Sequence, residues 1–294
     1  MKLALFDDYR IGVVEDEVVY DVTGAVPGTG SRPPVFVNAL IAQWAERGPE
    51  LARARERAKP RPLAEVRLLP PSPCPAQILA APGNYRKHLA EMGALSVTPK
   101  GRTAREQGFF LKSPASLTAS GRGIELPKGS LRRFDHECEL AVIIGRETRN
   151  VSRANALANV FGYSCLIDVT MRIDPDGRSE ERSMRKSFET FTPLGPWIVT
   201  ADELGDPADL RSELLVNGER RQEATTADLI VTVPEMIELA SSVVTLYPGD
   251  VIAMGTPEGI GPIRPGDEVT IRIERIGEMR LMVGETPAQP EFRF

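Results

Sequence analysis

His136-Glu137-Cys138-Glu139-Leu140-Ala141-Val142-Ile143-Ile144-Gly145 is the stretch on which the reading of this chain turns. Its apolar residues, rich in β-branched side chains and closed by a glycine, read as a buried strand. Side chains at i and i+2 of a strand share a face, so Glu137 and Glu139 point one way and Cys138 the other. Two carboxylates at the head of a buried strand repel each other unless something positive lies between them. A hard divalent cation with oxygen ligands, Mg²⁺, Mn²⁺ or Ca²⁺, answers that need. Asp168, which ends the apolar run Tyr163 to Ile167, offers a third carboxylate and leaves coordination positions open for water and substrate. On spacing alone, the pair could equally be solvated charge on an exposed strand edge. His136 should face away from Glu137, as a structural or supporting group.

Upstream, Leu3 to Phe6, Ile11 to Val14 and Val18 to Tyr20 read as short strands in a meander. Residues 35–58 turn helical, with Val37, Leu40, Ile41 and Trp44 on one face. The prolines at 60, 62, 70, 71, 73 and 75 then suggest a linker. This divides the chain into a small N-terminal α/β domain, residues 1–72, and a larger domain, residues 73–294. Downstream, Ser152 can cap a helix bearing Ala154, Leu157, Ala158 and Phe161. Asn217-Gly218 signals a hairpin turn. Thr232 and Glu235 form a capping box, with Pro234 in the first turn of a helix reaching Leu246. Val251 to Met254 and Val269 to Ile273 read as strands. The fold class is α+β, mainly β, without the alternation of a doubly wound sheet.

The 294 residues are 41% hydrophobic and 26% charged, enough for a packed core. A net charge of -5 and the absence of a basic stripe argue against a nucleic-acid partner. Arg53, Arg55, Arg57, Lys59 and Arg61 are interrupted by Glu56 and read as the solvated face of a helix. Three scattered cysteines, Cys74, Cys138 and Cys165, form no disulfide framework and fit a reducing compartment. Leu3 to Phe6 is too short for a signal peptide, and Leu140 to Ile144 is far below the ~20 residues of a membrane span. A cytoplasmic protein without membrane partners is expected.

Of the two histidines, His88 lies in Gly83-Asn84-Tyr85-Arg86-Lys87-His88-Leu89-Ala90-Glu91. On a helix His88 and Glu91 stand at i, i+3 and can touch, an arrangement suited to a general base. An ordinary surface His–Glu pair has the same spacing.

These pieces stand in a specific order. N-Y-x-x-H-x-x-E is followed by F-x-K-x-P at Phe110 to Pro114, E-x-E-L-A-V-I-I-G, and I-D-V-T-x-R. After these come K-S-F at Lys186 to Phe188, T-P-L-G-P-W-I-V-T at Thr192 to Thr200 and V-N-G-E at Val216 to Glu219. The series ends with P-G-D-V-I-x-x-G-T-P-E-G-I-G at Pro248 to Gly261. The ordered set, from about residue 78 to about residue 284, closely resembles the fumarylacetoacetate hydrolase family. The resemblance implies a mixed β-sandwich roll, a homodimer, and Glu137, Glu139 and Asp168 as ligands of Mg²⁺ or Mn²⁺. It implies a His88–Glu91 dyad that activates water, Lys186 close to the bound substrate, and Tyr85, Arg172 and Thr256 as substrate contacts, Thr256 on a carboxylate. Ala81 stands where some members carry a further acidic ligand, so three carboxylates are expected.

One departure bears on the substrate. Many members read D-x-x-x-R-D-x-Q after the ligand aspartate; here Arg172 is kept while Ile173 and Pro175 replace the last two. Arg182 or Arg185 could supply the missing polar contact, and the charged segment Asp174 to Arg185 could act as a lid. Lys112, Arg182 and Arg185 could equally be surface charge. The resemblance implies hydrolytic C–C cleavage of an acylpyruvate-like 1,3-dicarbonyl acid. Decarboxylation, hydration or isomerisation of a 2-oxo acid on the same site is the alternative, and a binding protein without turnover is a third.

Overall fold

The run that follows Glu139 is a strand buried along its whole length, and the rest of the fold is arranged on its two faces. The computed structural model describes residues 1–92, 102–173 and 180–287. Its first strands are β1 (Lys2–Phe6), β2 (Arg10–Glu15), β3 (Val18–Asp21), β4 (Pro60–Pro62), β5 (Leu68–Leu69), β6 (Ile78–Ala80) and β7 (Phe110–Lys112). Then come β8 (Leu117–Thr118), β9 (Ile124–Leu126), β10 (Phe134–His136), β11 (Cys138–Ile144), β12 (Val160–Ile167), β13 (Thr170–Met171) and β14 (Thr192–Thr200). The last are β15 (Arg211–Val216), β16 (Glu219–Thr225), β17 (Val251–Ala253), β18 (Gly261–Pro262), β19 (Glu268–Ile273) and β20 (Gly277–Glu285). The helices are α1 (Phe36–Ala42), α2 (Trp44–Arg57), α3 (Arg86–Met92), α4 (Ala104–Gln107), α5 (Arg153–Ala156), α6 (Arg182–Arg185), α7 (Ala201–Leu204) and α8 (Val233–Val243).

Among the described residues the largest sheet runs β4-β3-β2-β1-β14-β12-β11-β17-β6-β7. β11 lies antiparallel between β12 and β17. Being covered on both faces, it carries a continuous rather than alternating apolar sequence. Leu140, Val142 and Ile144 enter a core shared with the second sheet, β16-β15-β19-β20-β9. Ala141 and Ile143 enter a core with Leu3, Leu5, Val37 and Ile41, beneath α1 and α2. The result is mainly β with mixed strand directions.

β1 pairs with β14, Leu3 opposite Ile198, so the N-terminal meander extends the sheet that contains β11. The proline-rich stretch is not detached from it: β4 pairs with β3 and β5 with β1. Residues 1–72 and 73–294 therefore share a sheet and a core.

Several local expectations change. The helix over 35–58 is two helices, because Gln43 leaves helical geometry at φ −101°, ψ 19°. The helix that starts after Ser152 lasts one turn and has no capping hydrogen bond from the Ser152 side chain, and Phe161 lies in β12, where its ring meets Trp44 edge-on. α8 has the Thr232–Glu235 capping box but stops at Val243, where a β-branched run begins, and Leu246 bridges to Thr148 instead. The Asn217-Gly218 turn joins β15 to β16 with φ of 52° and 77°, as a two-residue hairpin of this chemistry requires. In the basic cluster, Arg55 pairs with Glu15 and Arg61 with Asp7, while Arg53 and Arg57 are exposed. Among the described residues no helix is long and apolar enough to cross a membrane.

Candidate active site

Glu137 sits in the break between β10 and β11, Glu139 near the start of β11, and Asp168 just past the end of β12. The antiparallel pairing of β11 with β12 brings them together, and the Asp168 N–H donates to the Glu137 carbonyl at 2.9 Å. One oxygen from each carboxylate lies within 4.8 Å of the others, and all three residues are buried. Cys138 turns to the opposite face and packs in the core with Leu140.

Cations are distributed unevenly over this cluster. Lys186 Nζ donates to Glu137 Oε2 (2.8 Å), Asp168 Oδ2 (2.6 Å) and Thr170 Oγ1 (2.7 Å). Lys112, 2% exposed, donates to Asp168 Oδ1 at 2.5 Å and to the carbonyls of Lys186 and Phe191. Arg172 reaches Glu137 Oε1 and Asp135 Oδ2, each at 2.7 Å. Burial works against the Lys186 ammonium, but Asp168 and Glu137 outweigh it and raise its pKa. Burial also disfavours the Glu137 carboxylate, yet Lys186 and Arg172 hold its pKa well below the usual range.

Glu139 has less help, with Lys186 acting on it only from a distance. Among the described residues it makes no ion pair; its Oε2 accepts the Gly255 N–H at 2.7 Å. Burial, with Asp168 and Glu137 nearby, pushes its carboxyl well above the ordinary value. Gly255 has φ +89°, and a Cβ there would come within 2.8 Å of Asn84 Cβ, so the residue must be glycine to bring its amide so close. Three converging carboxylates, one of them without an ion pair among the described residues, make a donor set that fits a hard divalent ion.

The cluster lines an open cavity. His88, Arg172, Lys186 and Thr256 line it as well. His88 is in the first turn of α3 and is buried. Its Nδ1 stands 3.5 Å from Glu91 Oε2, within ion-pair range but short of a formed hydrogen bond. Burial lowers the imidazole pKa, with Glu137 opposing. Glu91 lies behind the histidine, held by the Gly259 N–H at 3.1 Å to both of its oxygens. Gly259, at φ +88°, would place a Cβ 2.1 Å from the Arg221 carbonyl oxygen.

Tyr85 is not among the residues that line the cavity. Its backbone bridges to Leu229 and its ring is packed in the apolar core, away from the cavity wall. Leu89, Gln107, Phe110, Ile173, Arg182 and Arg185 also line the cavity. Arg185 is buried and donates to the Met171 and Glu180 carbonyls. Arg182 lies over the Phe110 ring at 5.5 Å and reaches Gln107 Oε1. Neither is plain surface charge, and nor is Lys112. Ala81 is in the wall without adding a ligand. The expected lid over 174–185, with Pro175, lies partly outside the described residues. His136 does face away, and its Nδ1 meets Gln222 Oε1 at 3.0 Å.

Sequence reasoning missed Gln222, Asp135 and the Gly255 and Gly259 amides. For Lys112, whose alternative reading was surface charge, the i, i+2 relation to Phe110 on β7 puts both on one strand face.

A carboxylate triad on this mainly β scaffold defines the class: the chain belongs to the fumarylacetoacetate hydrolase family, and residues 77–284 match the Fumarylacetoacetate (FAA) hydrolase C-terminal domain. Over an alignment of 300 residues it is 44% identical to the maleylpyruvate hydrolase of Aquipseudomonas alcaligenes, covering 96% of this chain and 99% of that one. The crystal structure of maleylpyruvate hydrolase from Sphingobium sp. SYK-6 in complex with manganese(II) ion and pyruvate matches with TM-score 0.86. It is 40% identical, over 98% of this chain and all of that chain. An oxaloacetate tautomerase of Bacillus subtilis is 36% identical over 230 residues, 76% of this chain and 74% of that protein.

Proposed function

We propose that the protein hydrolyses an acylpyruvate, a 1,3-dicarbonyl carboxylic acid, to pyruvate and a second carboxylic acid. A divalent cation, Mn²⁺ or Mg²⁺, would be held by Glu137, Glu139 and Asp168. The observation that carries this is the convergence of three buried carboxylates in one cavity wall with His88 beside them. When bound, the cation supplies Lewis-acid polarisation of the substrate oxygens.

His88 takes the proton from water. Burial keeps its imidazole neutral near pH 7, and with Nδ1 turned to Glu91 the free nitrogen is Nε2. Glu91, tethered by the Gly259 amide, fixes the ring and supports its charged form once the proton arrives. The hydroxide adds to the acyl carbonyl, the C–C bond breaks, and the departing carbon takes up a proton to give pyruvate. Lys186 and Arg172 keep Glu137 ionised, Lys186 also pairs with Asp168, and together they place positive charge beside the developing oxyanion. Thr256 receives the substrate carboxylate. A homodimer in the cytoplasm completes the reading, and sedimentation velocity tests the dimer.

A second reading is isomerisation or decarboxylation of a 2-oxo acid, favoured by Ile173, an apolar side chain in the wall where the family carries a polar one. The deciding experiment is product analysis with metal-stripped protein, with and without Mn²⁺ or Mg²⁺, on acetylpyruvate, fumarylpyruvate and oxaloacetate. Metal-restored release of pyruvate from the acylpyruvates is expected. Action on oxaloacetate alone would replace the hydrolase reading with the second one.

A further inference from the structure

We propose that Gln222, outside the cavity wall, is a positioning residue that fixes Thr256 as a hydrogen-bond donor to the substrate carboxylate. Gln222 is on β16 and 1% exposed. Its Oε1 accepts the Cys138 N–H at 3.0 Å, and its Nε2 donates to the Pro257 carbonyl at 3.0 Å. A backbone N–H can only donate and a carbonyl can only accept, so these two contacts decide which end of the amide is oxygen.

Two assignments follow from that polarity. His136 Nδ1, 3.0 Å from the same Oε1, must carry its proton. His136 Nε2 is then a bare acceptor, and it is buried without a partner among the described residues. On the other side, Thr256 Oγ1 lies 2.8 Å from Gln222 Nε2 and must accept. The amide is then saturated, with two hydrogens given and two lone pairs used.

A hydroxyl engaged from behind as an acceptor keeps its own hydrogen for another direction. Among the described residues nothing accepts the Thr256 hydrogen, and Thr256 lines the cavity. The hydroxyl is thereby committed as a donor before substrate arrives, which suits a carboxylate oxygen and spares the cost of reorienting it. Gln222 never touches the ligand. Its influence passes through a single oxygen atom.

This assignment presupposes the 2-oxo carboxylate proposed above as ligand, so the test reads binding of pyruvate to the Mn²⁺-loaded protein by calorimetry, apart from turnover. Gln222→Met and Thr256→Val should each weaken pyruvate about tenfold, the value of one hydrogen bond to a charged group. On the Thr256→Val background, Gln222→Met should add less than about twofold, because its route is already cut. Thr256→Ser, which keeps the hydroxyl, should bind like wild type. Equal weakening by Gln222→Met on both backgrounds would overturn the proposal, since general damage to the sheet acts regardless of Thr256. If Gln222→Met fails to fold, Gln222→Glu, which keeps an oxygen for Cys138 and His136, carries the same cycle. Wild-type protein that binds pyruvate yet leaves acylpyruvates intact would sink the hydrolase reading and leave the role of Gln222 standing.

Discussion

Replacing Glu139 with glutamine should make the metal-free protein more stable, and increasingly so as pH rises. Glu139 is buried, its carboxyl is held well above the ordinary 4.5, and among the described residues it forms no ion pair. In the metal-free fold it keeps its proton at pH values where the unfolded chain has lost it. The stability tied to that proton is complete below pH 4.5 and is lost as pH rises towards the folded-state value. The loss runs at up to about 1.4 kcal/mol per pH unit. A glutamine side chain in its place cannot ionise, and its carbonyl oxygen can still accept the Gly255 N–H. The unfolding free energy of Glu139→Gln minus that of wild type should therefore climb at about 1.4 kcal/mol per pH unit, roughly 3 °C of melting temperature. Taking the difference cancels every other titrating group. The assay is urea unfolding of chelator-treated protein across about pH 5 to 8, with Mn²⁺ titration calorimetry alongside. Wild type should release a proton on taking up Mn²⁺, and the variant should bind it far more weakly. A flat difference across that range would refute the claim that Glu139 is the unbalanced charge.

Other outcomes follow from the same geometry. His88→Ala should lower kcat by about 10²- to 10⁴-fold while Mn²⁺ affinity, read by calorimetry, stays unchanged. In wild type the acid limb of kcat/KM should have an apparent pKa below 6.5, because burial lowers His88, and activity should rise with pH through that value and then level. Lys186→Met removes the cation shared by Glu137 and Asp168, and should cost the metal-free fold about 3–5 kcal/mol in urea unfolding. Arg182→Ala should raise KM for fumarylpyruvate, whose acyl arm ends in a carboxylate, and leave that for acetylpyruvate near wild type. Equal effects on both substrates would remove Arg182 from that end of the cavity.

What could be read from the sequence was what local rules fix. The strand after Glu139, the shared face of Glu137 and Glu139, the Asn217-Gly218 turn and the Thr232 cap each depend on a few adjacent residues. Asp168 stands out as the end of an apolar run, the ordered motifs add Lys186 and Thr256, and the fold brings all three to one cavity. What stayed hidden depends on partners distant in sequence. The Lys112 side chain is buried because β7 lies beside the Lys186 and Phe191 carbonyls, which no window around residue 112 reveals. The first strand joins β14, nearly two hundred residues away, so the proline-rich stretch looks like a linker while pairing as part of a sheet. Tyr85 sits in a motif beside His88, yet its direction is set by a bridge to Leu229.

The turn between β17 and β18 has a consequence for how such a protein can diverge. Within a few residues it presents an amide to Glu139, a hydroxyl to the cavity and an amide to Glu91. Ion binding, substrate anchoring and base orientation thus share one fixture, and none can be retuned there without disturbing the other two. Change in this architecture is easier at lining positions off that turn, such as Ile173 and Arg182. The scaffold separates a part that is kept whole from a part that is free to drift.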